Sequence, residues 1–360
     1  MADYDISNFA LKACCPSNEL LYDDKGLPSV MVKIPKFKLS EVLDGGADEY
    51  HPAFIVNGST LDYIYISKYQ NVVENGRAYS KPGVDPQANI SWTNAKAYCE
   101  AKGEGWHLMT AVEYAAIALW CKKNGFMPYG NNNYGKDSRE TLYKAIPATY
   151  DSSGNISHVL TGTGPLTWSH NGEPDGIWDI NGNVSEWAGA KRTVYGEIQF
   201  LVNNNGADLN NDQGASSAEW MAIDASTGEF VTPDGSGTTT NTIKVDNVSS
   251  GYYGITVTTE SSDFSFAIGS ATCTSDISDA AKATLRAYGL LPEDGSTAAD
   301  YDNDRLYWNN AASERMFGSG GYFSSTTYAG VFYGSGISGT RTITYTSIGF
   351  RSAYAPLPTA

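Results

Sequence analysis

The sequence predicts an α+β fold with two early helices, short strands and long loop insertions. Three observations carry this. Helical spacing of apolar residues is confined to a few short stretches, period-2 alternation appears in others, and long runs rich in Gly, Asn, Ser and Pro separate them. There is no tandem repeat of fixed period.

Taken in order, residues 1–28 are mixed and irregular and read as an N-terminal arm or attachment segment, leaving 29–360 as one domain. In VMVKIPKFKL (Val30–Leu39), Val32, Ile34 and Lys36 fall on one side and Lys33 and Pro35 on the other. This predicts a half-buried strand, placed at a sheet edge by Pro35. DYIYISKY (Asp62–Tyr69) predicts a second strand. SWTNAKAYCEAK (Ser91–Lys102) carries Trp92, Ala95, Tyr98, Cys99 and Lys102 at helical spacing. TAVEYAAIALWCKKN (Thr110–Asn124) opens on a capping box, Thr110 with Glu113, and closes on Lys122 and Lys123 before Gly125. Long loops are expected from Asn131 to Asp179. An insertion at about 200–265 joins two loop-rich stretches around short strands, and a short helix at Ser278–Tyr288 precedes an Asp-rich loop to Asp304.

At 360 residues, with 41% hydrophobic content and 8 tryptophans, the chain can bury a large core. A net charge of −16 argues against nucleic acid and against an anionic membrane as partners. No stretch reaches the length of a membrane span, and the opening MADYDISNFALKACC lacks the basic and apolar regions of a secretory signal. The five cysteines (Cys14, Cys15, Cys99, Cys121 and Cys273) show no metal spacing and read as reduced thiols made in a cytosol.

Leu306–Ala355 is the most distinctive segment. Between Gly318 and Ser347 its only charge is Arg341, and the rest is almost all Gly, Ser, Thr and Tyr. Antibody paratopes use this vocabulary: Tyr supplies stiff amphipathic area, and Ser and Gly supply adaptable contacts. The segment is poor in the groups that acid–base catalysis needs, so it predicts a binding surface.

Three motifs fall in a fixed order: ISWTNAKAYCEAKGEGWHLMTAVEYAAIA (Ile90–Ala118), GIWDINGNVSEW (Gly176–Trp187), and GSGG (Gly318–Gly321) leading to IGFRSAY (Ile348–Tyr354). Together they resemble the C-type-lectin-like superfamily that includes the formylglycine-generating enzymes and sulfoxide synthases, over roughly Val30–Tyr354. The resemblance implies a C-type-lectin-like fold in which Trp178, Asn181, Gly182, Asn183, Glu186, Trp187, Gly349, Phe350 and Arg351 are structural. GSGG departs from the family's RGG, so that arginine contact is lost or comes from elsewhere, Arg315 being one source. The resembled oxidases hold copper on a cysteine pair between these last two motifs, and Gly321–Ile348 contains no cysteine. His51, His107, His158 and His170 include no HxxxH pair for iron. The expectation is therefore a protein that is not an enzyme.

GGYFSSTTYAGVFYGSGISGTRTITYTSIGFRSAY is similar to the variable region of proteins diversified by retroelements, such as tropism-determining phage tail proteins. AGVF (Ala329–Phe332), Arg341 and IGFRSA (Ile348–Ala353) match the fixed words of such regions. The resemblance implies adenine-directed mutagenesis of Asn codons. Each of Tyr322, Ser324, Ser325, Tyr328, Ser335, Ile337, Ser338, Ile343, Tyr345 and Ser347 is reachable from an Asn codon; Tyr333, Asn309 and Asn310 complete the set of expected ligand contacts. Alternation over Thr342–Ser347 predicts a strand whose one face varies while the other keeps the fold.

The function expected is hypervariable receptor recognition on a phage or prophage tail, with a bacterial cell surface as the alternative location. The expected partner is a protein or glycan on a target cell, met by a homo-oligomer, a trimer, on a fibre. A fixed structural tail component is one rival reading, and a formylglycine-generating-type oxidase lacking its cysteine pair is the other. No cofactor is expected, calcium being the exception to test: Asp208, Asn210, Asp212 and Glu219 match the spacing of a calcium loop, although Gln213 stands where that loop needs glycine. Asp300, Asp302 and Asp304 are also spaced for a cation but lack a closing glutamate.

Overall fold

The computed structural model describes residues 5–337 and 339–358. Its longer helices are α1 (Ile6–Cys14), α2 (Trp92–Glu100), α3 (Ala111–Lys123) and α4 (Asp279–Ala287). Its main strands are β1 (Asn18–Tyr22), β2 (Pro28–Pro35), β3 (Tyr63–Ser67), β4 (Trp106–Leu108), β5 (Ser185–Val194), β6 (Glu197–Leu201), β7 (Trp220–Ile223), β8 (Phe230–Val231), β9 (Phe264–Ala267), β10 (Arg305–Trp308), β11 (Arg315–Ser319), β12 (Gly334–Ser335), β13 (Ile348–Phe350) and β14 (Ser352–Tyr354). The mixture of few helices and many short strands is the expected α+β, C-type-lectin-like architecture. Among the described residues no helix is long and apolar enough to cross a membrane.

The helices start where side chains satisfy their free N–H groups. Ser91 accepts from the Asn94 amide, Ser278 accepts from the Ala281 amide, and the Thr110–Glu113 box is closed in both directions. Helix α1 was not expected. Asp5 caps it at the Asn8 amide (2.9 Å) and none of its residues is buried, so no apolar stripe announces it. Residues 18–22, within the stretch read as an arm, pair antiparallel with β2, Asn18 facing Val32.

The smaller sheet runs β1-β2-β3-β14-β4. Strand β2 therefore lies inside the sheet, not at the edge that Pro35 suggested. Pro35 is its last residue, so the missing N–H falls where the ladder ends. The larger sheet runs β8-β7-β6-β5-β11-β12-β10-β9, with β13 parallel to β5 and the pair Lys244–Val245 and Tyr253–Gly254 branching from β6. Strands β13 and β14 are almost consecutive, so one short stretch joins the two sheets. The insertion at about 200–265 adds β7 and β8 to the larger sheet and sends Ile223, Ile243, Val245 and Tyr253 into the main core.

Thr342–Ser347 forms no strand. Its carbonyls and those beside it are taken by separate partners: Asn89 N–H donates to the Tyr345 carbonyl (3.0 Å), Ser185 N–H to Ser347 (2.8 Å) and Thr93 N–H to Arg341 (3.1 Å). Bonds to three different elements cannot form a ladder. The alternation has another use here. Thr342, Thr344 and Thr346 are exposed, while Ile343 packs against the cluster of Trp92, Trp187, Met316 and Phe350.

Candidate functional site

Two layers build the site, a buried polar frame and an open cleft above it. The frame is centred on Glu186 in β5 and Arg351 between β13 and β14. Arg351 Nε and Nη2 donate to the two carboxylate oxygens of Glu186 at 2.6 and 2.7 Å, and both side chains are buried. Tyr114 donates to the same carboxylate (2.6 Å) and Gln70 donates to its other oxygen (3.0 Å). The three remaining guanidinium protons go to the Ser67, Lys68 and Trp178 carbonyls. A buried pair costs desolvation unless every proton is placed in this way.

Asn183 adopts a left-handed backbone, φ 62°, that short polar side chains tolerate. Its amide donates to Gln70 Oε1 and the Val159 carbonyl and accepts from Asn131 and the Val159 N–H. Asn181 donates to the Pro128 carbonyl at 2.8 Å. A Cβ on Gly182 would meet the Asn131 carbonyl oxygen at 2.3 Å, and one on Gly349 would meet that of Gln87 at 2.5 Å, so both positions require glycine. Trp187 Nε1 donates to the Ile90 carbonyl (2.8 Å), and Trp178 and Phe350 are buried. Asp179 is the frame's weak member. Its Oδ2 accepts from Gly162 N–H, its Oδ1 has no partner, and burial pushes its pKa up to about 6.

Above this frame lies a cleft of about 470 Å³. Its floor is Ser185 and Trp187 of β5, Gly318 of β11 and Ile348 of β13. Its walls carry nine of the expected contacts: Tyr322, Ser324, Ser325, Tyr328, Tyr333, Ser335, Ile337, Tyr345 and Ser347. Tyr307, Thr326 and Gly339 complete it, and among the described residues no charged side chain lines it. Tyr307 was missed. The signal was present, because in β10 Leu306 and Trp308 turn inward and Tyr307 lies between them.

The wall loops hang on main-chain bonds. Phe323 N–H donates to the Asn183 carbonyl (3.1 Å), Tyr134 N–H to Phe323 (2.7 Å) and Thr326 N–H to Asn132 (2.8 Å). Arg315 Nε holds the Ile337 carbonyl (3.0 Å), and Arg341 is clamped by Glu314, which also binds Arg192. Arg315 thus supports a cleft wall.

Of the other four expected contacts, the three described ones are not in the cleft wall. Ile343 packs on the core beneath it, and Ser338 lies outside the described residues. Asn309 and Asn310 sit elsewhere, with their amides committed. Asn310 donates to the Thr259 carbonyl (3.0 Å) and accepts from Ser261 N–H, and Asn309 donates to Asp263.

At the calcium spacing, Asp208 accepts from the Asn210 amide and from Asn57, Asp212 caps Gly214, and Glu219 is exposed. Asn210 therefore presents donors to the Asp208 carboxylate. The buried Gln213 bonds Ala190 N–H and the Gly206 carbonyl. Of the Asp-rich loop, Asp300 caps Thr297, Asp302 pairs with Arg139, and Asp304 is buried against Phe332 N–H. Among the described residues no group of three or more His, Cys, Asp or Glu is gathered for a metal. The copper-binding cysteine pair of the resembled oxidases finds no counterpart either. Cys99 and Cys121 are buried and their thiols are pushed up by burial, Cys273 is pushed up to about 11, and Cys14 and Cys15 belong to the α1 end. The residues present do not fit that metal.

Residues 10–222, more than half of the 360, match the family described as the sulfatase-modifying factor enzyme 1-like domain (FGE-sulfatase). The match contains the GNVSEW motif and ends before the cleft walls. Among solved structures the chain is similar to PvdO from Pseudomonas aeruginosa, at 13% identity over 93% of this chain and 97% of that one, with a TM-score of 0.30. No curated relative matches.

Proposed function

The chain belongs to the sulfatase-modifying factor enzyme 1-like domain family, and we propose that it uses this fold to bind a ligand in a hypervariable cleft rather than to catalyse a reaction. One observation carries the reading: nine positions expected to vary converge on one uncharged cleft of about 470 Å³. Exposed Tyr328 and Tyr345 supply aromatic anchors, and the serines around them supply adaptable polar contacts. Because the walls are tied down mainly by main-chain atoms, most of their side chains can be exchanged without unmaking the loops; Ser325, whose Oγ accepts from Tyr322 N–H, and the buried Tyr333 are the exceptions.

The proposed role is receptor recognition by a retroelement-diversified protein on a phage or prophage tail. Its ligand is a protein or glycan on a target cell, and copies on a fibre raise avidity without new contacts. It needs no metal. The absence of any cysteine from Gly321–Ile348 supports a binder over a thiol oxidase.

Deep sequencing of the 3′ end of the gene across a natural population tests this. Variation concentrated at the nine wall codons, with AGVF and IGFR constant, is the expected result. Uniform low variation removes diversification and leaves a fixed binder or a structural component. Copper-dependent turnover of a thiol peptide would overturn the non-enzymatic reading.

A further inference from the structure

One cysteine differs from the other four. Cys15, the residue that ends α1, is half-buried, and its Sγ lies 3.8 Å from the Lys68 ammonium. No other cysteine has a hydrogen-bonded amine among the described residues. Lys68 follows the last residue of β3 and is only 3% exposed. Its Nζ is held by the Asn18 side chain and by the Pro174 carbonyl at 2.7 Å, which aims it at the sulfur. Burial lowers its pKa, against the opposing pull of Cys15 and then Asp175, and so raises the share of neutral, nucleophilic amine.

Half-exposure lets a small oxidant reach the sulfur, while the amine waits behind it out of bulk water. We propose that Cys15 and Lys68 form an oxidatively closed covalent cross-link when the protein meets a peroxide. The Cys15 thiolate attacks one peroxide oxygen and the O–O bond breaks, giving the sulfenic acid and hydroxide, which takes up the proton the thiol released and becomes the first water. The lone pair of the Lys68 amine then attacks the sulfur, the S–O bond breaks, and the hydroxyl leaves with the amine's proton as a second water. The product is a sulfenamide, Cys15–S–NH–Lys68. Sulfur has lost two electrons and peroxide has gained them. A thiol reductant reverses the link by attacking the sulfur and releasing the amine.

The link would fasten the end of α1 to the smaller sheet. That matters because α1 buries none of its own residues and is otherwise attached through polar contacts such as Leu20 N–H to Asn8 Oδ1 (3.0 Å). Closing the chain between residues 15 and 68 would also restrict the unfolded state.

The test uses the full chain with Cys14→Ser, which removes the neighbouring thiol and any disulfide it could form. After hydrogen peroxide treatment the intact mass should fall by about 2 Da, and proteolysis should yield one joined peptide containing Cys15 and Lys68. Dithiothreitol should restore both the mass and the separate peptides. Adding Lys68→Arg, which keeps the charge but cannot form this link, should abolish the joined peptide. Oxidised Cys15 carrying added oxygen, with the Lys68 peptide free at every peroxide dose, would overturn the proposal. The result is independent of whether the cleft binds anything.

Discussion

The buried frame and the cleft share strands but treat side chains in opposite ways. In the frame every function of Glu186, Arg351 and Asn183 is bonded to a particular partner, so each residue is determined by its neighbours. In the cleft most side chains face open space, and the backbone behind them is held mainly by N–H and carbonyl groups that every residue other than proline has; the exceptions are the buried Tyr333 and Ser325, whose Oγ accepts from Tyr322 N–H. Ser185 and Trp187 belong to both layers, since β5 carries Glu186 in one direction and the cleft floor in the other. A fold can be strict and permissive within one strand if its constraints run through side chains on one face and through main chain on the other.

The largest effect should come from breaking the frame. Arg351→Ala leaves Glu186 buried without its partner and should cost about 3–5 kcal/mol in urea unfolding; an unchanged midpoint would contradict the account of the pair. Next comes Lys191, buried on β5 with its ammonium 4.0 Å from the Phe317 ring centre and with no paired carboxylate among the described residues. Burial pulls its pKa down to about 7, below the unfolded value. Its charged form destabilises the fold, so the wild type should gain stability as pH rises from about 7 towards 10. Lys191→Met should therefore stabilise the protein by about 1–4 kcal/mol at pH 7, with the advantage shrinking at higher pH.

Asp179 has the opposite pH dependence. Its folded pKa, about 6, lies above the unfolded value, so its stabilising contribution is present at pH 4 and is lost as pH rises through 6. Asp179→Asn should gain about 1–3 kcal/mol relative to the wild type between pH 4.5 and pH 7, measured by paired denaturation curves. A difference independent of pH would remove Asp179 as the titrating group. The smallest stability effect belongs to the cleft. Tyr328→Ala and Tyr345→Ala should shift stability by no more than about 0.5 kcal/mol, yet weaken binding to an identified receptor by about 2 kcal/mol. Cleft variants that unfold the protein would erase the distinction between the two layers.

Local chemistry was legible in the sequence. The Ser91, Thr110 and Ser278 caps mark helix starts within a residue, because a cap and its amide lie three positions apart. The wall residues were legible through the Tyr, Ser and Gly vocabulary and the fixed words around it. The bond between Glu186 and Arg351 was not, since the two lie 165 positions apart and either could pair with other charges. Helix α1 escaped because it buries nothing. The resemblance to a retroelement-diversified region implied Asn309 and Asn310 as further contacts, but their amides close loops of the insertion, a non-local use that spacing cannot reveal. Thr342–Ser347 shows that alternation reports which side chains face inward, not whether a ladder forms.

The position of Arg351 has a consequence for synthesis. It lies beyond the last wall residue, and β14 follows it into the middle of the smaller sheet. Glu186 is made long before its partner, so the centre of the molecule stays unclosed until residues 318–347 have been translated in frame. A stop codon or frameshift anywhere in that stretch removes both the guanidinium and the strand. The shortened product lacks the partner of Glu186 and an interior strand of the smaller sheet, so reading through the cleft walls in frame is a condition for closing the core.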